Sequence, residues 1–175
     1  MILVVAGVAG SGKTTIGQLV AGRLHCEFAD GDSFHPPANV AKMHAGVPLT
    51  DDDRWPWLRS IVAWTDEEAA AGRSAVVACS ALKRAYRDVL RSGSARARLV
   101  FLVLPLGADE TRLTHREGHF FPAALLESQF ATLELPQPPE PVPLVPASGT
   151  PEQTADLVMK LIGDGHGDGG PEAPE

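Results

Sequence analysis

Short apolar runs alternate along the chain with longer stretches in which apolar positions recur every three or four residues. That is the pattern of strands buried on both faces of a parallel sheet and joined by amphipathic helices. The β-branched run at residues 2–6 predicts a first strand. A glycine-rich turn follows, then a helix over residues 13–24 that places Ile16, Leu19, Val20 and Leu24 on one face. Residues 27–29 predict a brief second strand ending in Asp30-Gly31-Asp32, and Pro36 and Pro37 suit the first turn of a helix reaching residue 43. Residues 45–53 read as a loop. Asp53 is the expected cap of the next helix, with Pro56 in its first turn, Trp57, Ile61 and Trp64 as its core stripe and Gly72 beyond its end.

A third strand is expected at residues 75–78, a helix at 82–91 and a fourth strand at 98–104. Helices follow at 109–116 and 122–134, the second turning Leu126, Phe130 and Leu133 inward. Residues 136–151 hold seven of the fifteen prolines, so a strand there, at 142–145, belongs at a sheet edge. An amphipathic helix closes the pattern at 150–162. The alternation predicts an α/β fold, a doubly wound parallel sheet flanked by helices, as one domain over residues 1–162.

Composition narrows the function. The chain has 175 residues and a formal charge of −7, which makes nucleic acid a poor partner. Four of the acids lie in the last thirteen residues, 163–175, with five glycines and no Lys or Arg, which predicts a disordered tail. Cys26 and Cys79 are too few for a disulfide scaffold and fit a reducing, cytoplasmic setting. No apolar run approaches the ~20 residues that span a bilayer, and residues 1–6 lack the basic flank of a signal peptide.

Gly7-Val8-Ala9-Gly10-Ser11-Gly12-Lys13-Thr14 fits GxxxxGK[ST] between an apolar strand and a helix. Its glycines let backbone N–H groups turn around phosphate oxygens, and the helix start adds positive potential. In this reading Lys13 reaches the β- and γ-phosphates of a nucleotide, and Thr14 can hold Mg²⁺. The loop says nucleotide, not reaction. There is no NKxD motif for GTP, because Asn39 is the only asparagine, and the third strand ends in Cys79-Ser80 with no acid. The carboxylates then come from Asp30 and Asp32, at the C-terminal end of the second strand, where open α/β sheets bind ligands. One can order Mg²⁺ and the other can accept a proton from an attacking hydroxyl.

Further polar clusters remain. His35, Asn39 and Lys42 are spaced along one helical face. Arg54 stands at a helix start, where the macrodipole disfavours a cation and an anion is the expected partner. Lys83 and Arg84 follow the third strand, and His119 follows Arg112 and Arg116 between two expected helices, where a closing lid carries arginines to a transferring phosphate. Together they imply a small, hydrophilic, anionic co-substrate.

The segments GVAGSGKTT, DGDSFHPPANVAKMHAGVPLTDDDRWPWL, CSALKRAYRDVLR and GHFFPAALLESQFATLE resemble the gluconokinase family, small P-loop kinases of D-gluconate, over residues 6–136. The resemblance implies a nucleoside-kinase-like parallel sheet with a small lid at about residues 112–122, commonly a homodimer. The implied reaction is ATP with D-gluconate giving ADP and 6-phospho-D-gluconate, with Mg²⁺. It implies that Gly7, Gly10, Ser11, Gly12, Lys13, Thr14 and Thr15 hold the nucleotide, with Arg112, and that Thr14 and Asp30 hold the metal. Asp32 is then the base at the 6-hydroxyl, the reverse assignment of Asp30 and Asp32 staying open. Arg54, Lys83 and Arg84 are candidates for the carboxylate, and His35, Lys42 and His119 for the hydroxyls. Arg116 and Arg112 neutralise charge on the γ-phosphoryl group. Residues 104–111 depart from the family pattern by being a few residues shorter, which shortens and rotates the helix before Arg112. Rival readings are a shikimate-kinase-like enzyme for another small anion and a non-catalytic nucleotide- or gluconate-binding protein.

Overall fold

The computed structural model describes residues 1–104 and 129–164. Among them the chain forms β1 (Ile2–Gly7), α1 (Lys13–Leu24), β2 (Glu27–Asp30), a 3₁₀ turn (Gly31–Phe34), α2 (Pro37–His44), α3 (Asp51–Ala70), β3 (Ala75–Cys79), α4 (Arg84–Arg91), β4 (Arg98–Val103), β5 (Leu144–Pro146) and α5 (Pro151–Asp164). Residues 129–132 are also helical. The expected helix 109–116, the start of the helix expected at 122–134 with Leu126, the lid residues Arg112, Arg116 and His119, and residues 165–175 of the expected tail lie outside the described residues.

The sheet is five-stranded, in the order β2-β3-β1-β4-β5, and every pairing is parallel. β1 carries no polar side chain because both its faces are covered. Ile2, Val4 and Ala6 pack with Trp57, Leu58 and Ile61 of α3 and Tyr86 and Leu90 of α4. Leu3 and Val5 pack on the other face with Ile16 and Val20 of α1 and Ala155 and Val158 of α5. Each such aliphatic side chain contributes about 1.5–3 kcal/mol on full burial. The result is the expected α/β sandwich.

The register sets Ala6 beside Cys79, Asp30 beside Ala78 and Gly7 beside Leu102. The C-terminal ends of β1, β2, β3 and β4 therefore finish level. The loop after β1, the turn after β2 and the segment after β3 all open onto this edge.

Several boundaries differ from expectation for physical reasons. Thr50, not Asp53, caps α3: its hydroxyl accepts the Asp53 N–H while the Asp53 carboxylate accepts the Thr50 N–H, a reciprocal capping box. The helix thus starts earlier, and Pro56 lies inside it rather than in its first turn. α3 ends as expected, with Gly72 at φ 71° and the Arg73 N–H returning to the Glu68 carbonyl. α4 begins at Arg84 rather than residue 82, since Ala81 (φ 43°) breaks the helical path. Phe130 is 40% exposed rather than inward, whereas Leu133, just beyond the helical turn that ends at residue 132, packs against the core as expected. β5 starts two residues later than expected and ends one later, with Val142 still buried. α5 continues through Asp164, two residues into the expected tail. Among the described residues, no helix is long and apolar enough to cross a membrane.

Candidate active site

The loop between β1 and α1 has the backbone its sequence demands. Gly7, Gly10 and Gly12 have φ of 146°, 78° and 88°, which L side chains rarely adopt. A Cβ on Gly7 would lie 2.7 Å from Ser11 Oγ and 2.8 Å from the Leu102 carbonyl oxygen, so only glycine lets the loop fold back against β4. No side chain caps the N-terminus of α1, leaving its orphan N–H groups for an anion. Ser11 is buried, and among the described residues its hydroxyl has no hydrogen-bond partner. A buried orphan hydroxyl inside a phosphate loop fits a phosphate oxygen as its missing partner. The Lys13 ammonium donates to the Val8 carbonyl at 2.8 Å, which folds it over the loop. A cavity of about 300 Å³ opens on the α1 side, lined by Gly10, Ser11, Gly12, Thr15 and Ile16 and, from the far end of the chain, by Ala147, Gly149, Pro151 and Thr154.

Asp30 and Asp32 stand at the end of β2. The Asp30 carboxylate accepts from the Thr14 hydroxyl at 3.2 Å and from the Asp32 N–H at 3.1 Å. Thr14 and Asp30, both hard oxygen donors, are thus neighbours, as Mg²⁺ requires of ligands that it shares with water and phosphate. Gly31 makes the approach possible: a Cβ there would lie 2.5 Å from the Ala78 carbonyl oxygen. Asp32 projects into the open edge, its side chain 79% accessible. Even so, the surrounding protein displaces enough bulk water to raise its carboxyl above the usual value. The charge of Asp30 adds to this and that of Lys13 opposes it. The neighbouring Cys79 thiol, buried at the end of β3, is pushed up to about 12 by desolvation and is inert.

His35, Asn39 and Lys42 do come together, around Asp53. The Asn39 amide donates to the Asp53 carbonyl at 2.8 Å and meets His35 Nδ1 at 3.2 Å. The Lys42 ammonium bonds both Asp53 carboxylate oxygens at 2.7 and 2.8 Å. That contact, with the Thr50 bonds, lowers the Asp53 carboxyl to about 2. The His35 ring stacks on Trp57 with 4.2 Å between centroids and a 16° tilt. Burial first, then the Arg54 charge, lowers its pKa to about 4, so the ring is neutral at pH 7.

Arg54 and Lys83 also converge. Lys83 donates to both oxygens of Asp51, Tyr86 donates its hydroxyl to the same carboxylate, and Arg54 donates to the Tyr86 oxygen at 3.2 Å. Arg54 thereby meets an anion at its helix start, Asp51 at 3.8 Å. Arg84 does not join them; its guanidinium lies 3.8 Å from Asp88, one turn further along the same helix.

The residues that sequence reasoning missed are those whose partners are distant along the chain. Asp51 and Tyr86 complete the cation cluster, and Tyr86, the chain's single tyrosine, follows closely on Lys83. Gln129 receives the Ala9 N–H of the phosphate loop at 2.8 Å. Ala147, Gly149, Pro151 and Thr154 line the cavity with almost no chemical signature beyond small size.

Comparison with known proteins agrees with this geometry. A family model described as shikimate kinase matches residues 9–123, more than half of the chain, which makes the chain a member of that wider family. A gluconokinase of Gluconobacter oxydans (strain 621H) is 50% identical over 160 residues, covering 91% of this chain and 88% of that one. The chain belongs to the gluconokinase family. The crystal structure of a gluconokinase from Sinorhizobium meliloti 1021 superposes on this gluconokinase-family chain with a TM-score of 0.72 at 40% identity, covering 94% of this chain and 97% of that one. An unliganded sugar kinase from Janibacter sp. HTCC2649 gives a TM-score of 0.86 at 48% identity, covering 93% and 94%. Three of the gluconokinase-like segments are the ones that build the described site: the phosphate loop, the stretch from β2 into α3, and the start of α4.

Proposed function

We propose that this gluconokinase-family kinase transfers the γ-phosphoryl group of ATP to the 6-hydroxyl of D-gluconate, giving ADP and 6-phospho-D-gluconate. One observation carries the reading. A phosphate loop, a carboxyl raised toward a basic role, and paired cations suited to a carboxylate all open on one sheet edge.

In this reading Gly7, Gly10, Ser11, Gly12 and Lys13 cradle the phosphates, and the cavity over Thr15, Ala147, Gly149 and Thr154 takes the nucleoside end. Thr14 and Asp30 would hold Mg²⁺, which when bound offsets charge on the β- and γ-phosphates. Asp32 accepts the proton of the attacking hydroxyl, a role suited to a carboxyl with a raised pKa. Arg54 and Lys83 bind the gluconate carboxylate by charge-assisted hydrogen bonds. Neutral His35 orients sugar hydroxyls, and Lys42 does so from its Asp53 anchor. From sequence alone, Arg112 and Arg116 neutralise the transferring group and His119 contacts the sugar, as parts of a lid at about residues 112–122. Most of the rate enhancement is then positioning and charge stabilisation. Free Cys26 and Cys79 fit a cytoplasmic setting. The homodimer implied by the family resemblance is part of the proposal and is tested by sedimentation.

The test is coupled-assay ADP release with Mg-ATP and D-gluconate, beside shikimate, D-glucose and a no-acceptor control. Turnover with gluconate alone supports the reading. Turnover with shikimate but not gluconate overturns the substrate. Thermal protection by gluconate without turnover with any acceptor replaces the enzyme by a binding protein.

A further inference from the structure

The peptide unit joining Gly31 to Asp32 is held at both polar ends. Its N–H, that of Asp32, donates to the Asp30 carboxylate at 3.1 Å. Its C=O, that of Gly31, accepts the buried indole N–H of Trp57 at 2.7 Å, across 26 positions of sequence. On its third side the unit lies against β3, where even a methyl group on Gly31 would strike the Ala78 carbonyl at 2.5 Å. The next carbonyl, that of Asp32 itself, accepts the His35 N–H at 3.2 Å, and the His35 ring stacks on the same indole. Trp57 is 3% exposed and belongs to the α3 core stripe, where its buried indole N–H must find an acceptor. The acceptor it finds is the Gly31 carbonyl, in the peptide that leads into Asp32.

We propose that Trp57 is a positioning residue for Asp32: its indole N–H, by holding the Gly31 carbonyl, fixes the peptide that carries the base. This rests on the reading of Asp32 as base. A carbonyl released from that bond lets the peptide rotate, which swings the Asp32 side chain away from Asp30 and Lys13. A displacement of about 1 Å at a reacting group costs up to about a hundredfold in rate.

Trp57→Phe keeps an aromatic ring for the His35 stack and deletes the donor. If phenylalanine does not fold there, β-(3-benzothienyl)alanine at position 57 exchanges only the N–H for sulfur at unchanged ring size. Two measurements read the result. The first is steady-state kinetics, in which kcat is expected to fall about ten- to a hundredfold while the KM for ATP stays within about twofold. The second is the crystal structure of the unliganded variant, full chain, in which the Gly31–Asp32 peptide is expected to rotate and the Asp32 carboxylate to move by about 1 Å or more. An Asp32 carboxylate left in its wild-type position overturns the proposal, even if the melting temperature drops, because packing alone would do that. The two readings fail separately: a wild-type protein inactive with gluconate removes the substrate assignment, while the place of Asp32 in the variant still decides whether Trp57 sets its position.

Discussion

The ammonium of Lys83 lies 2.9 and 2.8 Å from the two carboxylate oxygens of Asp51, with Arg54 3.8 Å from the same group. Two cations and a tyrosine hydroxyl thus meet on one carboxylate, beside the segment that follows β3, the set that an incoming sugar-acid carboxylate needs. A hydrogen bond to a charged group contributes about 1.5–3 kcal/mol. Lys83→Ala is therefore expected to raise the KM for gluconate about ten- to a hundredfold, with the KM for ATP unchanged. Arg84→Ala, whose guanidinium turns to Asp88, is expected to leave both within about twofold. Steady-state kinetics with each substrate varied separates the two cations; an unchanged gluconate KM in Lys83→Ala removes that residue from the site.

Asp32 binds its proton more tightly in the folded chain than an ordinary aspartate does, because of desolvation and then Asp30. The base is therefore lost to protonation earlier as pH falls, and the acid limb of kcat/KM is expected to have its midpoint above the usual 3.8. Asp32→Asn is expected to lower kcat about 10²–10⁴-fold while ATP binding persists. The sign of the stability effect is opposite. A folded pKa above the unfolded one means that ionised Asp32 opposes folding at neutral pH, so the asparagine variant should not melt lower than wild type. Calorimetry on the same preparation checks this.

Arg87 and Glu140 form an ion pair in which both side chains are almost fully buried, at 2.6 Å. Arg87 also donates to the Ala81 and Leu82 carbonyls, so it ties the segment after β3 to the segment before β5. Removing one partner of such a pair costs about 3–5 kcal/mol, since the other charge is left buried and unpaired. Glu140→Gln should therefore lower stability by about that amount in urea titration. Hydrogen bonding from Arg87 holds the Glu140 carboxyl below its usual 4.5. Its contribution is then complete above that unfolded value and is lost as pH falls through the depressed folded value. Acid denaturation of Glu140→Gln should begin from a lower plateau and lose less between neutral pH and the acid limb. A variant with the wild-type acid profile would refute the role of this pair.

The parts of the site legible in the sequence are those with a local backbone requirement. Gly7, Gly10 and Gly12 announce themselves because positive φ selects glycine at fixed spacing. Asp30-Gly31-Asp32 does so because a strand end is where ligands meet an open sheet. The β–α alternation was legible for a similar reason, since strands buried on both faces carry almost no polar residue. What depends on pairing over long range was not legible. Asp53 has the side chain of an N-cap, and only its reciprocal bonds with Thr50 show that the cap of α3 lies three residues earlier. Asp51 finds Lys83 and Tyr86 more than thirty positions away, a contact with no periodic signature. Trp57 looked like core alone because its stripe position explains its ring and says nothing of its N–H.

The cavity beside the phosphate loop supplies the remaining prediction. Its far wall comes from Ala147, Gly149, Pro151 and Thr154, brought next to α1 by the edge strand β5 and by the docking of α5 on α1. Those walls are small residues, two of them buried, so a bulky replacement there would disturb the core as well as the cavity. Thr15 is different: it lines the same space yet is exposed on the first turn of α1. A large side chain at that position can enter the cavity without displacing buried atoms. Thr15→Trp is therefore expected to leave the melting temperature within about 2 °C, as surface changes usually do. It should raise the KM for ATP about tenfold or more, the equivalent of at least ~1.4 kcal/mol, and spare the KM for gluconate. The introduced indole also reports binding directly, through fluorescence titration with ATP and with inorganic triphosphate. If the cavity takes the nucleoside, the variant weakens ATP binding more than triphosphate binding, because only ATP carries a group that needs the space. Equal weakening of both ligands would place the nucleoside elsewhere and leave the cavity as a gap between α1 and the loop after β5.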